Sequence, residues 1–232
     1  MSAPAALAFK DLASGYGSAE VLRGLSGEVA PGQVLAVIGR NGVGKSSLLK
    51  VLGGHLPAWR GGIALLGKPV ERLRPAERHA LGLAYCQQER PVFDSLSVRD
   101  NLALGMKAAS PADMKPFFER FPVLERRLAQ QAGTLSGGEK KILAFSRCLA
   151  EAQPVVLLDE PSEGVQWENI LHMAALIDAQ RARGVAFVLV EQNIEFATRL
   201  ADHYLVIDQG RCVRHGPAAS MDREELLRHL HV

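Results

Sequence analysis

Residues 39–47 read GRNGVGKSS. Gly39 and Gly44 bracket four residues, and Lys45 and Ser46 follow at once, the spacing G-x-x-x-x-G-K-[ST] of a phosphate-binding loop. No other stretch constrains the fold as strongly, because the motif works in only one local setting. A strand must end, glycines must let the backbone N–H groups turn inward, and a helix must begin so that its positive end meets the anion. The flanks meet that demand. VLAVIG (34–39) is a short apolar run rich in β-branched residues and reads as a buried strand. KSSLLKVLGG (45–54) reads as a helix with Leu48, Leu49 and Leu52 on its inner side. The expected phosphate cradle comprises Gly39, Asn41, Gly42, Gly44, Lys45, Ser46 and Ser47. Lys45 holds the outer phosphates and Ser46 ligates Mg²⁺.

The rest of the chain alternates in a way that extends this unit. ALAFKDLASGY and EVLRGLSGEVA predict two antiparallel strands with a turn near Gly15 and Gly17, and GIALLG (62–67) predicts another strand. PAERHALG (75–82) has proline in a helix's first turn and glycine at its end. LAYCQQ (83–88) returns to strand. From about 97 to 152 the pattern is helical. It opens on a Ser97 N-cap, is interrupted at Pro116 and Pro122, and ends with GGEKKILAFSRCLAEA (137–152), which carries Ile142, Leu143, Phe145 and Leu149 at helical spacing. VVLLD (155–159) and VAFVLVE (185–191) are apolar strands closed by an acid. ILHMAALIDAQRARG (170–184) and IEFATRLA are helices, HYLVID and RCVRHG pair as strands around Gln209-Gly210, and MDREELLRHLHV is a terminal helix. The fold class is α/β: a largely parallel, buried core sheet with helices on both faces, an N-terminal antiparallel portion, and a helical lobe inserted between strands.

Two further stretches carry chemistry. An acid at the end of a buried strand lies at the sheet's carboxyl edge, where ligands bind. In VVLLDEPS (155–162), Asp159 is placed to hold Mg²⁺ and Glu160 to accept a proton from an attacking water, a role that contributes roughly 10²–10⁴-fold. In LSGGEKK (135–141), Ser136, Gly137 and Gly138 open a helix and so form a second anion-seeking end. One nucleotide does not need both ends within one chain. A head-to-tail dimer, in which each chain's second helix caps the nucleotide held by the other, accounts for both.

Composition narrows the field. With 47% hydrophobic and 22% charged residues, a packed core is expected over 232 residues, as one domain with an inserted lobe. A net charge of +2 offers no basic face for nucleic acid. Cys86, Cys148 and Cys212 form no CxxC pair and are expected to be reduced core residues. The N-terminus lacks the features of a signal peptide, and no run approaches the ~18 apolar residues of a membrane span.

In order along the chain, GRNGVGKSS, YCQQ, LSGGE and LLDEP resemble the ATP-binding subunit of ATP-binding-cassette (ABC) transporters over essentially the whole length. The resemblance implies a P-loop NTPase cassette, residues 1–232 as one ATP-binding domain, with a helical subdomain inserted at about 89–152. It implies ATP and Mg²⁺. It makes Gln88 the glutamine that senses Mg²⁺ or the attacking water and touches a membrane partner through the surface at 89–105. It makes Tyr16 the aromatic on which adenine stacks. Gln192 stands where the family has a switch histidine; a neutral amide can still bond a γ-phosphate but cannot become charged. Glu139 stands where the signature usually ends in Gln, and Gln166 where Asp is expected.

LVEQN, LSGGE and the EGVQ turn resemble the branch serving branched-chain amino acid, urea and short-amide importers, and GRNGVGKS with SEGVQ is more similar to the urea type than to the amino-acid type, although Trp167 replaces a proline usual there. The resemblance implies a second ATPase subunit as homo- or heterodimer, two transmembrane permease chains and, indirectly, a periplasmic substrate-binding protein, with this chain peripheral on the cytoplasmic face of a bacterial inner membrane. Three other readings are weighed against this one: the ATPase of a lipid or lipopolysaccharide exporter, a soluble ATP-driven switch on DNA or the ribosome, and a small-molecule kinase. The switch lacks its usual second cassette, insertion or basic face, and a kinase has no use for the LSGGE helix.

Overall fold

The computed structural model describes residues 4–89, 91–104, 111–221 and 223–228. In chain order the elements are β1 (Leu7–Tyr16), β2 (Ala19–Val29), β3 (Val34–Ile38), α1 (Lys45–Leu52), β4 (Arg60–Leu65), β5 (Lys68–Pro69), α2 (Pro75–Ala80), β6 (Leu83–Cys86), α3 (Val98–Ala103), α4 (Pro111–Arg120), α5 (Pro122–Arg126), α6 (Gly137–Ala150), β7 (Val155–Asp159), α7 (Trp167–Arg181), β8 (Ala186–Glu191), α8 (Ile194–Leu200), β9 (His203–Asp208), β10 (Arg211–Pro217) and α9 (Arg223–Arg228). Two sheets result. One has four antiparallel strands in the order β2-β1-β4-β5. The other has six in the order β10-β9-β3-β8-β7-β6, parallel except for β10.

The apolar character of β3, β7 and β8 follows from this layering. Val155, Leu157, Val188 and Val190 point into a core shared with α1 and the four-stranded sheet. Their neighbours Val156, Leu158, Phe187 and Leu189 point into a second core formed with α6 and α7. A strand with both faces covered has no position for a polar residue until it ends. The acids Asp159 and Glu191 therefore stand at the strand ends, on the edge where the loop after β3 also emerges. Adjacent pairing of β3 with β8 and of β8 with β7 brings these three ends together, with Ile38 opposite Glu191 and Asp159 opposite Val190.

Several expectations are corrected. Pro116 does not interrupt its helix: α4 continues through it to Arg120, held by the buried Met114 and Phe117, whereas Pro122 does open a new helix at its first turn. Helix α7 begins at Trp167 rather than Ile170. Cys86 and Cys148 are buried, but Cys212 is exposed, because β10 is the edge strand and most of its residues face outward. The two-residue β5 carries no readable pattern. Positions 90 and 105 of the expected partner surface, and the terminal helix beyond Arg228, lie outside the described residues.

One buried cation braces the helix behind the loop. Arg78, 1% exposed, donates from Nη1 to the Val51 and Leu52 carbonyls, both at 2.7 Å, and from Nε and Nη2 to the Leu73 and Glu71 carbonyls. The last carbonyls of α1 have no partner within the helix, and the guanidinium supplies one. Arg78→Met is expected to lower the unfolding free energy by about 3 kcal/mol in urea titration. Arg78→Lys should not restore it, because a single ammonium cannot span four carbonyls.

Candidate functional site

Between β3 and α1 the chain forms the loop predicted from its glycines. Gly44, the residue before α1, has φ 112°, a left-handed value that a side chain would strain. A Cβ at Gly39 would run into the Ile207 carbonyl on β9. Lys45 is 4% exposed. Its Nζ donates to the Gly39 and Arg40 carbonyls at 2.9 and 3.0 Å and lies 3.4 Å from Oε1 of Glu160. A buried ammonium needs such partners, since unpaired charge is costly away from water.

Strands β7 and β6 supply the next layer. Ser46 Oγ donates to Asp159 Oδ1 at 2.9 Å, and the Tyr85 hydroxyl donates to Oδ2 at 3.1 Å. Burial and the adjacent Asp159 carboxylate push the Tyr85 hydroxyl far up, so it remains a donor. Burial likewise raises Asp159. Glu160 has a left-handed φ of 47° and is boxed by donors. Gln192 Nε2 reaches Oε1 at 2.9 Å, and Gln88 Nε2 reaches Oε2 at 3.0 Å while also donating to Glu163 Oε2 at 3.0 Å.

These groups line one cavity of about 410 Å³ that holds Tyr16, Asn41, Gly42, Gly44, Lys45, Ser46, Ser47, Gln88, Glu160 and Gln192. Gly39 joins it through its carbonyl on Lys45. Tyr16 is 49% exposed at the mouth, with its hydroxyl 3.4 Å from Ser47 Oγ. Asp159 lies behind Ser46. The donor set suits a nucleotide with Mg²⁺. A buried lysine at the loop before a helix start suits an anion, and the Ser46 hydroxyl beside the Asp159 carboxylate offers hard oxygen ligands. No cluster of three or more His, Cys, Asp or Glu able to hold a metal occurs among the described residues.

Ser136 and Gly138 line a different cavity, of about 460 Å³, with Glu139, Gln166 and Asn169. The two cavities share no lining residue. Ser136 caps α6 by accepting from the Glu139 N–H, and Glu139 Oε2 accepts from the Ser136 N–H. Arg127 Nη1 lies 3.1 Å from the same carboxylate oxygen, so the negative charge that Glu139 adds to this helix start is countered. Gly137 is exposed beside them.

Residues 22–163 match the family model described as ABC transporter. The chain belongs to the ABC transporter family. It is an ATP-hydrolysing cassette, similar to a branched-chain amino acid transport ATP-binding protein, BraG, of Pseudomonas aeruginosa (37% identity, covering 93% of this chain and 94% of that protein). It is also similar to a Nod factor export ATP-binding protein of Paraburkholderia xenovorans (32% identity, 96% and 74%). Among solved structures, an ATP-binding subunit of an ABC transporter superposes with a TM-score of 0.85 at 25% identity, covering 96% of this chain and 98% of that one.

Four residues of the cassette escaped the sequence reading: Tyr85, Lys141, Glu163 and Glu191. Tyr85 stood inside the quoted YCQQ and Glu191 at the end of a noted apolar strand, but nothing local marks what either touches. Glu191 is 2% exposed. Its Oε1 accepts the Ser162 N–H at 3.0 Å, and its Oε2 accepts the N–H groups of Gln192 and Asn193 at 3.1 and 3.2 Å. One carboxylate thus ties the turn after Glu160 to the loop carrying Gln192. Burial pushes it up to about 7 from 4.5 despite those three bonds. Between these values the folded chain holds the proton and the unfolded chain does not. The group's contribution is therefore fully present below 4.5 and is lost as pH rises through about 7. The lead in thermal stability of the wild type over Glu191→Gln, which cannot titrate, should be greatest at low pH and shrink across that window. A lead that stays constant over a pH series of thermal melts would refute the buried-acid assignment.

Proposed function

We propose that this chain powers an importer of branched-chain amino acids, urea or short amides from the cytoplasmic face of a bacterial inner membrane. The observation that carries the mechanism is the Glu160 carboxylate, on which Lys45, Gln88 and Gln192 converge inside the phosphate cavity. ATP binds with its phosphates against the loop N–H groups and Lys45, and its base against the exposed ring of Tyr16. Ser46 and Asp159 would hold Mg²⁺, which would supply neutralising charge for the phosphates when bound. Glu160 is the general base. Its two oxygens are occupied by Gln192, Lys45 and Gln88, so it is parked until a γ-phosphate competes for Lys45 and Gln192 and frees Oε1 for a water. Gln192 serves as an uncharged γ-phosphate donor and Gln88 positions the water.

Because the helix start at Ser136, Gly137 and Gly138 borders its own cavity, it is read as the cap for nucleotide held by a second cassette, as homo- or heterodimer. Two permease chains dock on the exposed surface near Phe93 and Leu104, and a periplasmic binding protein selects the solute. No described helix is long and apolar enough to cross a membrane, in keeping with a peripheral seat. We read the helical insertion expected at about 89–152 as the helices α3–α6, which lie between β6 and β7. The importer assignment rests on the similarity to the amino acid transport protein and on LVEQN and SEGVQ. Similarity to the Nod factor export protein favours an exporter as the second reading.

Glu160→Gln is expected to cut turnover by about 10²–10⁴-fold, leave ATP affinity intact and accumulate an ATP-bound dimer on size exclusion. Retained turnover would sink the base assignment, and a monomer under all conditions, partner cassette included, would sink the sandwich. Lys45→Ala is expected to abolish nucleotide binding in calorimetric titration. Capture of the chain from gently solubilised membranes should bring down two many-helix permeases and an associated solute-binding protein. An exporter's permeases, or ribosomal partners, would overturn the importer.

A further inference from the structure

Helix α6 carries Ser136 at its start and touches the base from the second turn. Lys141 Nζ donates to the Glu160 backbone carbonyl at 3.3 Å and to Glu163 Oε2 at 3.3 Å, with its side chain only 14% exposed. That Glu163 oxygen also accepts Gln88 Nε2, which bonds Glu160 Oε2 as well. The contacts close a ring: Lys141 to Glu163, Glu163 to Gln88, Gln88 to the Glu160 carboxylate, and the Glu160 carbonyl back to Lys141. Glu160 is in the left-handed region, so its peptide keeps its direction only where both ends are held. Its N–H is held by the Val190 carbonyl at 3.0 Å, and its carbonyl by both Lys141 Nζ and the Glu163 N–H, each at 3.3 Å. The hydrogen bond from Gln88, aided by Lys141, holds the Glu163 carboxyl below its usual range, as expected for an ionised member of such a ring.

We propose that Lys141 is a positioning residue that couples the Ser136 helix start to the base, fixing the Glu160 peptide directly and aiming Gln88 through Glu163. Lys141 lies five residues from the cap, about 7.5 Å along one rigid helix. A small tilt of α6, when its start engages phosphate from across a dimer, would shift both Glu160 and Gln88. Glu163 is 57% exposed on its side chain, so the ion pair itself adds little stability. The role is geometric, and this separates it from a structural one. The inference rests on Glu160 as base.

The test is steady-state ATP hydrolysis by the full chain in the complex with which it co-purifies, with thermal melts alongside. Lys141→Met is expected to lower kcat about ten-fold with KM for ATP within about two-fold and an unchanged melting midpoint. Lys141→Arg should recover most of that loss. In a double-mutant cycle, Lys141→Met with Glu163→Gln should cost no more than Lys141→Met alone, as expected of one connected unit. Should Lys141→Met fail to fold, Glu163→Gln carries the same expectation, a fall in kcat without a fall in melting midpoint. A kcat within about two-fold of wild type for the folded variant, or fully additive losses, would overturn the coupling. Glu160→Gln run in parallel separates the two failures. If it is inactive while Lys141→Met is normal, only the coupling falls. If it is active, the base assignment falls first.

Discussion

A buried ammonium must be paired, and much of this site is organised around that requirement. Lys45 has two carbonyls of its own loop and one carboxylate, Glu160, which directly follows a strand more than a hundred residues away in the chain. Meeting it requires β7 to end level with the phosphate loop. That in turn requires β3, β8 and β7 to run parallel in adjacent register, which requires helices to cover both faces of the sheet. The apolar, acid-terminated strands are therefore the means by which a charge pair is assembled at a dry edge. A carboxylate placed anywhere earlier in β7 would be buried without a partner.

The same arrangement bears on Glu160, the proposed base. Glu160 has donors on both oxygens, and its backbone is held in an unfavourable conformation at both ends. In the proposed mechanism phosphate competes for Lys45, because the start of α1 borders the same cavity. Binding and activation would then follow from one exchange of partners. Glu191 adds a second brace beneath, linking the turn after Glu160 to the Gln192 loop through three backbone N–H groups. Gln192, at the position proposed to meet the γ-phosphate, keeps this geometry, since an amide donates as well as an imidazole does. What it forgoes is the capacity to carry charge.

Glu139 illustrates how a local departure is absorbed. A carboxylate at a helix start favours the helix but opposes an incoming phosphate. Here it is taken up by the cap of Ser136 and by Arg127, which leaves the helix start compatible with its proposed role of meeting an anion.

The sequence by itself determined the local units. Glycine spacing dictated the phosphate loop, unbroken apolar runs dictated strands buried on both faces, and acids at their ends marked the sheet's carboxyl edge. Each of these depends on neighbours within a few residues. Only the tertiary structure decided the partners. That Tyr85 holds Asp159, that Lys141 reaches the Glu160 carbonyl, that Glu163 shares Gln88 with Glu160, and that Glu191 bridges two loops all depend on strand order and on where α6 crosses the sheet. Pro116 shows the same limit from the other side, for its helix persists because Met114 and Phe117 are anchored in a core that no local rule describes. Long-range pairing has no periodicity to betray it. It is set by which buried charge lacks a counterpart once the layers have closed.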